Sequence, residues 1–356
     1  MKQFLILFFN LFLVALSQAQ SIYFSQFLEQ PLYLNAAKVG LLKGDANRVV
    51  AQYRNEWASV TVPYHSYSIG LDGSVLGKKI ENGHLGFGVL AMNDRSGDGS
   101  LQNFKTIMGI SYHHYFDEKG KYSLAFGLQG GFSQKSVDFS KVTFPNQFNG
   151  SVFDNTNPNG EPLSLGNNFF TFDDIGAGIV WSYSEKGMNS FNPILKTYDF
   201  RTPDIEIGFS LSQINRGNNS FFMNAVNQLA YKPVLYGRAR YFLKEGRMNL
   251  NLNPNFLIIH NGRLLEATIG ATFEFYELLA DLEKRSIYLG VQTRLFNAIV
   301  TSIGYAHKNI KLQVSYDTNI TSLIPGSKTV GGFEITLAVL SKVERGIIHC
   351  PRKEDE

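Results

Sequence analysis

The feature that most constrains this chain is a two-residue alternation that recurs along its length. Tyr122, Leu124, Phe126, Leu128 and Phe132 alternate with Ser123, Ala125, Gly127, Gln129, Gly131 and Ser133. The pattern returns as Ile205, Ile207, Phe209 and Leu211 against Glu206, Gly208, Ser210 and Ser212. It returns as Leu265, Ala267, Ile269, Ala271, Phe273 and Phe275 against Glu266, Thr268, Gly270, Thr272 and Glu274. Near the end come Ile310, Leu312, Val314 and Tyr316, then Phe333, Ile335, Leu337 and Val339. Side chains on a strand point to opposite faces in turn, so each segment has one apolar and one small or polar face. Strands of about ten residues with this pattern mark a transmembrane barrel, whereas sandwich strands usually run about five or six.

About fourteen such segments occur, near 47–56, 65–73, 84–93, 103–115, 121–133, 169–184, 204–213, 232–243, 247–259, 263–276, 286–295, 297–306, 309–317 and 330–341. The expected fold is therefore all-β: an antiparallel transmembrane β-barrel over 47–341. With a periplasmic N-terminus, "FDEKGK" (116–121), "KEGR" (244–247) and "HKN" (307–309) are short inner turns, and the long connection 134–168 lies outside. Two features fit less well, a long inner connection at 185–203 and a tight outer "NG" at 261–262.

The first residues set the compartment. Lys2, an apolar run from Phe4 to Leu16, and Ser17-Gln18-Ala19 form a secretory signal peptide over 1–19, with Gln20 as the first mature residue. The position after the cleavage site holds no cysteine, so a lipid anchor there is not expected. The single Cys350 lies in a polar tail, 342–356, placed in the periplasm, and supports neither an intrachain disulfide nor a multi-thiolate metal site. A net charge of +3 with no basic run argues against nucleic acid as a partner.

"GHLGFGVLAMNDRSGDGS" (83–100) contains a dinucleotide-like G-x-G-x-x-A, but Asn93 to Gly99 cannot open the helix that must hold the pyrophosphate. A calcium loop starting at Asp94 would need a carboxylate where Lys105 stands. A strand followed by a turn fits best. The seven histidines show no H-x-x-x-H spacing and there is no G-x-S-x-G elbow, so no catalytic, cofactor or metal residue is assigned.

Several blocks resemble the PorP/SprF family: "YFSQFLEQPLYLNAA" (23–37), "QYRNEWASV" (52–60), "LGFGVLAMNDRSGDGSL" (85–101), "SVDFSKVTFPNQFNG" (136–150), "DIGAGIVW" (174–181), "SYDTNITSLIPG" with "GGFEITL" (315–337), and "CPRK" (350–353). The resemblance implies an outer-membrane component of the type IX secretion system, with links to gliding motility. It implies, as partners, secreted adhesin-like cargo with a C-terminal sorting domain, a periplasmic peptidoglycan-associated lipoprotein, the secretion machinery and membrane lipid. It implies no cofactor and no enzymatic activity.

Candidate contacts follow. Asn93, Asp94 and Arg95, at the outer end of a strand, are candidates for touching cargo or for pairing across the mouth; a solvated turn with local hydrogen bonds is the alternative. Trp57 is a candidate interface anchor, and Arg54 shares a face with Gln52 and Glu56. Segment 20–46 belongs to no alternating strand yet carries Phe24, Phe27, Leu32 and Leu34. A soluble tail would not expose these without a partner, so lumen, periplasmic rim or partner protein must cover them. The inward positions read as mostly Gly, Ser, Thr and Ala, and such a lumen has room for a plug. Two function classes remain, a secretion component with a closed lumen and a passive channel or small-solute transporter.

Overall fold

The computed structural model describes residues 24–342, apart from 43–45, 59–61, 76–79, 81, 98, 139–140, 143, 155, 159–168, 188–202, 222–225, 263, 279–283, 296 and 321–328. The signal-peptide segment 1–19 and most of the tail 342–356, with Cys350, lie outside the described residues.

The strands are β1 (Ala46–Glu56), β2 (Tyr64–Val75), β3 (Gly83–Ser96), β4 (Leu101–Tyr115), β5 (Tyr122–Ser136), β6 (Phe169–Ser184) and β7 (Asp204–Ser212). The second half holds β8 (Lys232–Lys244), β9 (Asn249–Asn261), β10 (Leu264–Leu278), β11 (Lys284–Arg294), β12 (Ala298–His307), β13 (Ile310–Asn319) and β14 (Val330–Lys342). Each pairs antiparallel with its sequence neighbours, and β1 pairs with β14 in a register that sets Arg54 opposite Glu334. The sheet is thereby closed into a fourteen-strand barrel. Closure leaves no unpaired edge, the condition under which strands can cross a bilayer.

The apolar faces point outward. Phe126 and Leu128 are 51% and 61% exposed, while Ala125 is buried. Ile207 and Phe209 against Glu206 and Ser210, and Leu265, Ile269 and Phe273 against Thr268 and Glu274, divide the same way. Without a hydrocarbon phase around it, this aromatic and aliphatic belt would be a large exposed patch. No helix among the described residues is long and apolar enough to cross a membrane.

The strands are not uniformly about ten residues long. β7 has 9 residues and β6 has 16. At about 3.3 Å per residue and a tilt of ~40°, a fifteen-residue strand reaches roughly 38 Å along the axis, beyond an apolar band of about 25 Å. β3 to β6 therefore continue past the belt as a paired wall, as in Asn103↔Lys135 and Gln102↔Ser136. At these ends polar residues such as Gln102, Asn103, Lys135 and Ser136 mix with Leu101, Phe169 and Phe170, so the strict alternation fades before the strand ends.

A substitution pair on β10 tests the facing. Phe273→Arg should cost about 2–4 kcal/mol of stability in lipid, because arginine near the midplane of the apolar face is that expensive. Thr272→Arg, at a position that itself lines a lumen cavity, should cost clearly less. Urea titration of both variants in bilayers measures the difference; equal losses would reverse the facing of β10. Ala125 is a poor site for the control, since it is buried in the same apolar cluster as Ala37 of the segment.

Candidate functional site: the occupied lumen

The ring of strands is filled by the chain's own N-terminal segment. Pro31 stands at the first position of one helical turn, α1 (Pro31–Leu34), where its missing N–H costs nothing. Asn35 ends that turn and caps the next one, its Oδ1 accepting from Ala37 N at 2.8 Å. A 3-10 turn at Phe27–Glu29 precedes α1 and another at Ala36–Lys38 follows it. These short turns let residues 24–42 fold back on themselves inside the barrel.

The direction of travel is set by where each residue touches the wall. Ser25 N and Gln26 N donate to Glu334 at 2.7 and 3.0 Å, level with Arg54 near the end of β1. Gln30 Nε2 reaches Val50 O at 3.3 Å and Ser68 Oγ at 3.0 Å, half-way down. Gly40 N donates to Asp72 at 2.9 Å, close to the start of β1. The segment thus descends the lumen to the end where β1 begins, the near end; the opposite end is the far end.

Two apolar seams hold it. Phe24, Leu32, Ala36 and Val39 pack with Leu90, Met92 and Ile107; Phe27, Leu34, Ala37 and Leu41 pack with Ala125, Val180, Val234, Tyr236 and Leu257. Full burial of a side chain such as Leu32 or Leu34 contributes about 1.5–3 kcal/mol. Glycines let the backbones approach. A Cβ at Gly127 would overlap the backbone of Ala36 and Ala37, and one at Gly86 would overlap Val39 O.

Polar contacts fix the register. Asn35 Nδ2 donates to the Ile179 and Phe209 carbonyls at 3.1 Å each, and Ser210 Oγ donates to Leu34 O at 2.8 Å. Lys38 Nζ meets Glu206 at 2.9 Å, and Glu206 also accepts from Tyr236 Oη at 2.8 Å and Arg238 Nε at 2.6 Å. Near the far end, Arg54 donates to Ser25 Oγ at 2.7 Å, to Glu334 at 3.1 Å and to Asp317 at 2.6 Å, and it also pairs with Glu56. Arg294 meets Asp317 at 3.1 Å, and Ser25 Oγ donates to Asp317 at 2.9 Å. Buried charges like these are tolerable only when paired and hydrogen-bonded.

The lumen is therefore not lined mainly by small residues. Gly, Ala and Ser line the wall against the segment's backbone, but Arg54, Asp72, Glu206, Asp317 and Glu334 face inward too. Alternation hides them, because a strand's polar positions read alike whether they meet water or a buried partner. His84 and His113 are likewise not isolated: their rings stack at 4.2 Å. Nε2 of each reaches a segment carbonyl, Gly40 O at 3.0 Å and Val39 O at 2.8 Å. Nothing in the histidine spacing signals this, since the pair forms through the register His84↔His113 between β3 and β4.

Beside the segment, toward the near end, a cavity of about 380 Å³ remains, lined by charged side chains and by amides of β9, β11 and β13. Among the described residues no group of three or more His, Cys, Asp or Glu could hold a metal.

A family profile, "Type IX secretion system membrane protein PorP/SprF", matches residues 16–339. The chain belongs to the PorP/SprF family. No curated protein matches this PorP/SprF sequence. Among solved structures, the monoaromatic hydrocarbon channel CymD is similar with a TM-score of 0.45, at 10% identity over 88% of this chain and 91% of that one. BamA from Haemophilus ducreyi lacking POTRA domains 1–3 gives 0.43, at 9% identity over 83% of this chain and 70% of that one. A Pseudomonas aeruginosa FadL homologue gives 0.42, at 8% identity over 86% and 92%.

In this PorP/SprF barrel the three candidate rim residues do not share one face of the strand. All lie within β3, so alternation turns Asp94 inward, where it accepts from Ser66 Oγ at 2.6 Å. Arg95 is exposed and donates to Ser100 Oγ at 3.0 Å, a local bond across the β3–β4 turn. Trp57 follows the last residue of β1 at the far end, half-buried, with φ of 61° and its N–H donating to Gly331 O at 3.2 Å. Phe24, Phe27, Leu32 and Leu34 are all buried in the two seams.

Proposed function

We propose that this protein is a non-enzymatic outer-membrane component of the type IX secretion system, required for export or surface anchoring of particular adhesin-like cargo and, through them, for gliding. The observation that carries this reading is a barrel of this family whose lumen is filled by its own N-terminal segment. Such a barrel is a poor diffusion channel, which disfavours the solute-transporter reading. Its work is then done by surfaces: far-end loops toward cargo, and the near end toward a periplasmic peptidoglycan-associated lipoprotein and the machinery. The near end faces the periplasm in this reading, because its turns at 116–121, 245–248 and 308–309 are short while the far end carries 137–168. Trp57 at the far rim serves as an anchor in the outer interface, and Asn93 and Arg95 are candidate cargo contacts beside it.

A deletion strain tests the role. Loss of one or a few large adhesin-like proteins from the surface and medium is expected; unchanged secretion with lost uptake of a solute would overturn it. Orientation has its own test. An epitope inserted between Gly150 and Ser151, both exposed, should be labelled on intact cells, and one between Glu118 and Lys119 only after permeabilisation. The reverse pattern would invert the barrel.

A further inference from the structure

The cavity beside the N-terminal segment has a composition that the closed-barrel reading leaves unused. β9 carries the run "NLNLNPN", which puts Asn249, Asn251, Asn253 and Asn255 on its inward face with Leu250 and Leu252 between them. Asn253 and Asn255 line the cavity, together with Gln292 of β11 and Gln313 of β13. Three of these amides, Asn255, Gln292 and Gln313, are more than nine-tenths buried. Their side-chain oxygens have no hydrogen-bond partner among the described residues. Buried acceptors left unpaired cost about 1–3 kcal/mol each, so their retention on one wall points to an occupant that donates to them.

The chemistry of the wall narrows that occupant. Carboxamides offer both donor and acceptor, matching the alternating N–H and C=O of a peptide backbone. Inward side chains along β9 repeat every two residues, about 6.6–6.8 Å, the repeat of an extended chain lying beside it. A sugar would instead need an aromatic face to stack on. The aromatic rings lining the cavity are taken: Lys311 sits over Tyr288 at 4.5 Å, Tyr183 packs on Tyr122 at 5.0 Å, and Phe27 is buried in a seam. Charged pairs such as Lys284–Glu274, at 2.5 Å, satisfy one another and so leave recognition to the neutral amides. The volume lies within the ~300–1,000 Å³ typical of ligand sites.

We infer that the amide-lined cavity between the N-terminal segment and β9–β13 binds a short, uncharged, extended stretch of another polypeptide, entering from the near end. Only the side of entry rests on the orientation proposed above; the binding is a property of the purified chain and stands or falls apart from the secretion role.

The test uses the full mature chain in detergent micelles and a dye-labelled, end-capped octapeptide of Ser, Thr, Gly and Val, read by fluorescence anisotropy. Unlabelled peptide should compete in a saturable manner. The double variant N255L/Q292L should bind at least about fivefold more weakly, the loss of two net hydrogen bonds. A folded control, I303A on the outer face, should bind as the wild type does, and heat-modifiable gel mobility reports that all three barrels are folded. Absence of saturable binding would overturn the inference, as would equal binding by folded N255L/Q292L. Competition by an N-acetylglucosamine tetramer as strong as that by peptide would replace it with a glycan site.

Discussion

Removing residues 24–40 should convert a silent barrel into a conducting one. In planar bilayers the intact protein is expected to show little current, and the truncated protein a steady conductance at least about tenfold higher, since barrels of slightly more strands hold open aqueous channels. The reason lies in the two apolar seams and the close backbone approach at Gly86 and Gly127, which pack the segment against the barrel wall. Deletion also exposes Leu90, Met92, Ile107 and Leu257 to water inside the lumen, so the truncated barrel will be less stable. A milder route keeps the test decisive. G127V retains the whole segment but claims the space of Ala36 and Ala37, and should give intermittent openings. A large resting conductance in the intact protein, or no change in either folded variant, would show that the segment does not close the lumen.

The second large effect is expected at Arg54. This guanidinium is fully buried and meets Ser25, Asp317 and Glu334 at once. R54M leaves Glu334 as a buried carboxylate with no cation, while Asp317 keeps Arg294. Breaking a buried pair from one side costs about 3–5 kcal/mol, and urea unfolding in lipid should show a loss of that size. Adding E334Q removes the orphaned charge; its one amide oxygen can still accept from either Ser25 N or Gln26 N, which donate to different oxygens of the carboxylate. The double variant should therefore recover part of the loss. Failure to recover would mean that Arg54 acts through packing rather than through charge.

The two networks also explain why the segment and the barrel must form together. Glu334 lies on the last strand and Arg54 on the first, so the bond that closes the barrel and the bond that seats Ser25 share the same atoms. A barrel that closed without the segment would bury those charges half-satisfied, or admit water to them.

Much of this was legible in the residues themselves. Alternation along Tyr122–Ser133 and Leu264–Leu278 determined strand, facing and barrel, because lipid on one side and protein or water on the other is a period-two constraint written into every strand. The apolar cluster Phe24, Phe27, Leu32 and Leu34 outside any strand marked the segment as needing cover. What covers it was not legible, since lumen, rim and partner all accept the same side chains. That outcome was decided by tertiary structure, through contacts between residues about 20 to 310 positions apart. Asn35 reaches carbonyls of β6 and β7, Lys38 finds Glu206, and Ser25 finds Glu334. The same limit hid the stacked His84 and His113 and the unpartnered amides of β9 and β11. A polar residue on the inner face looks identical in sequence whether it meets water, a buried charge or an empty cavity; only closure of the barrel, which sets opposite walls face to face, tells them apart.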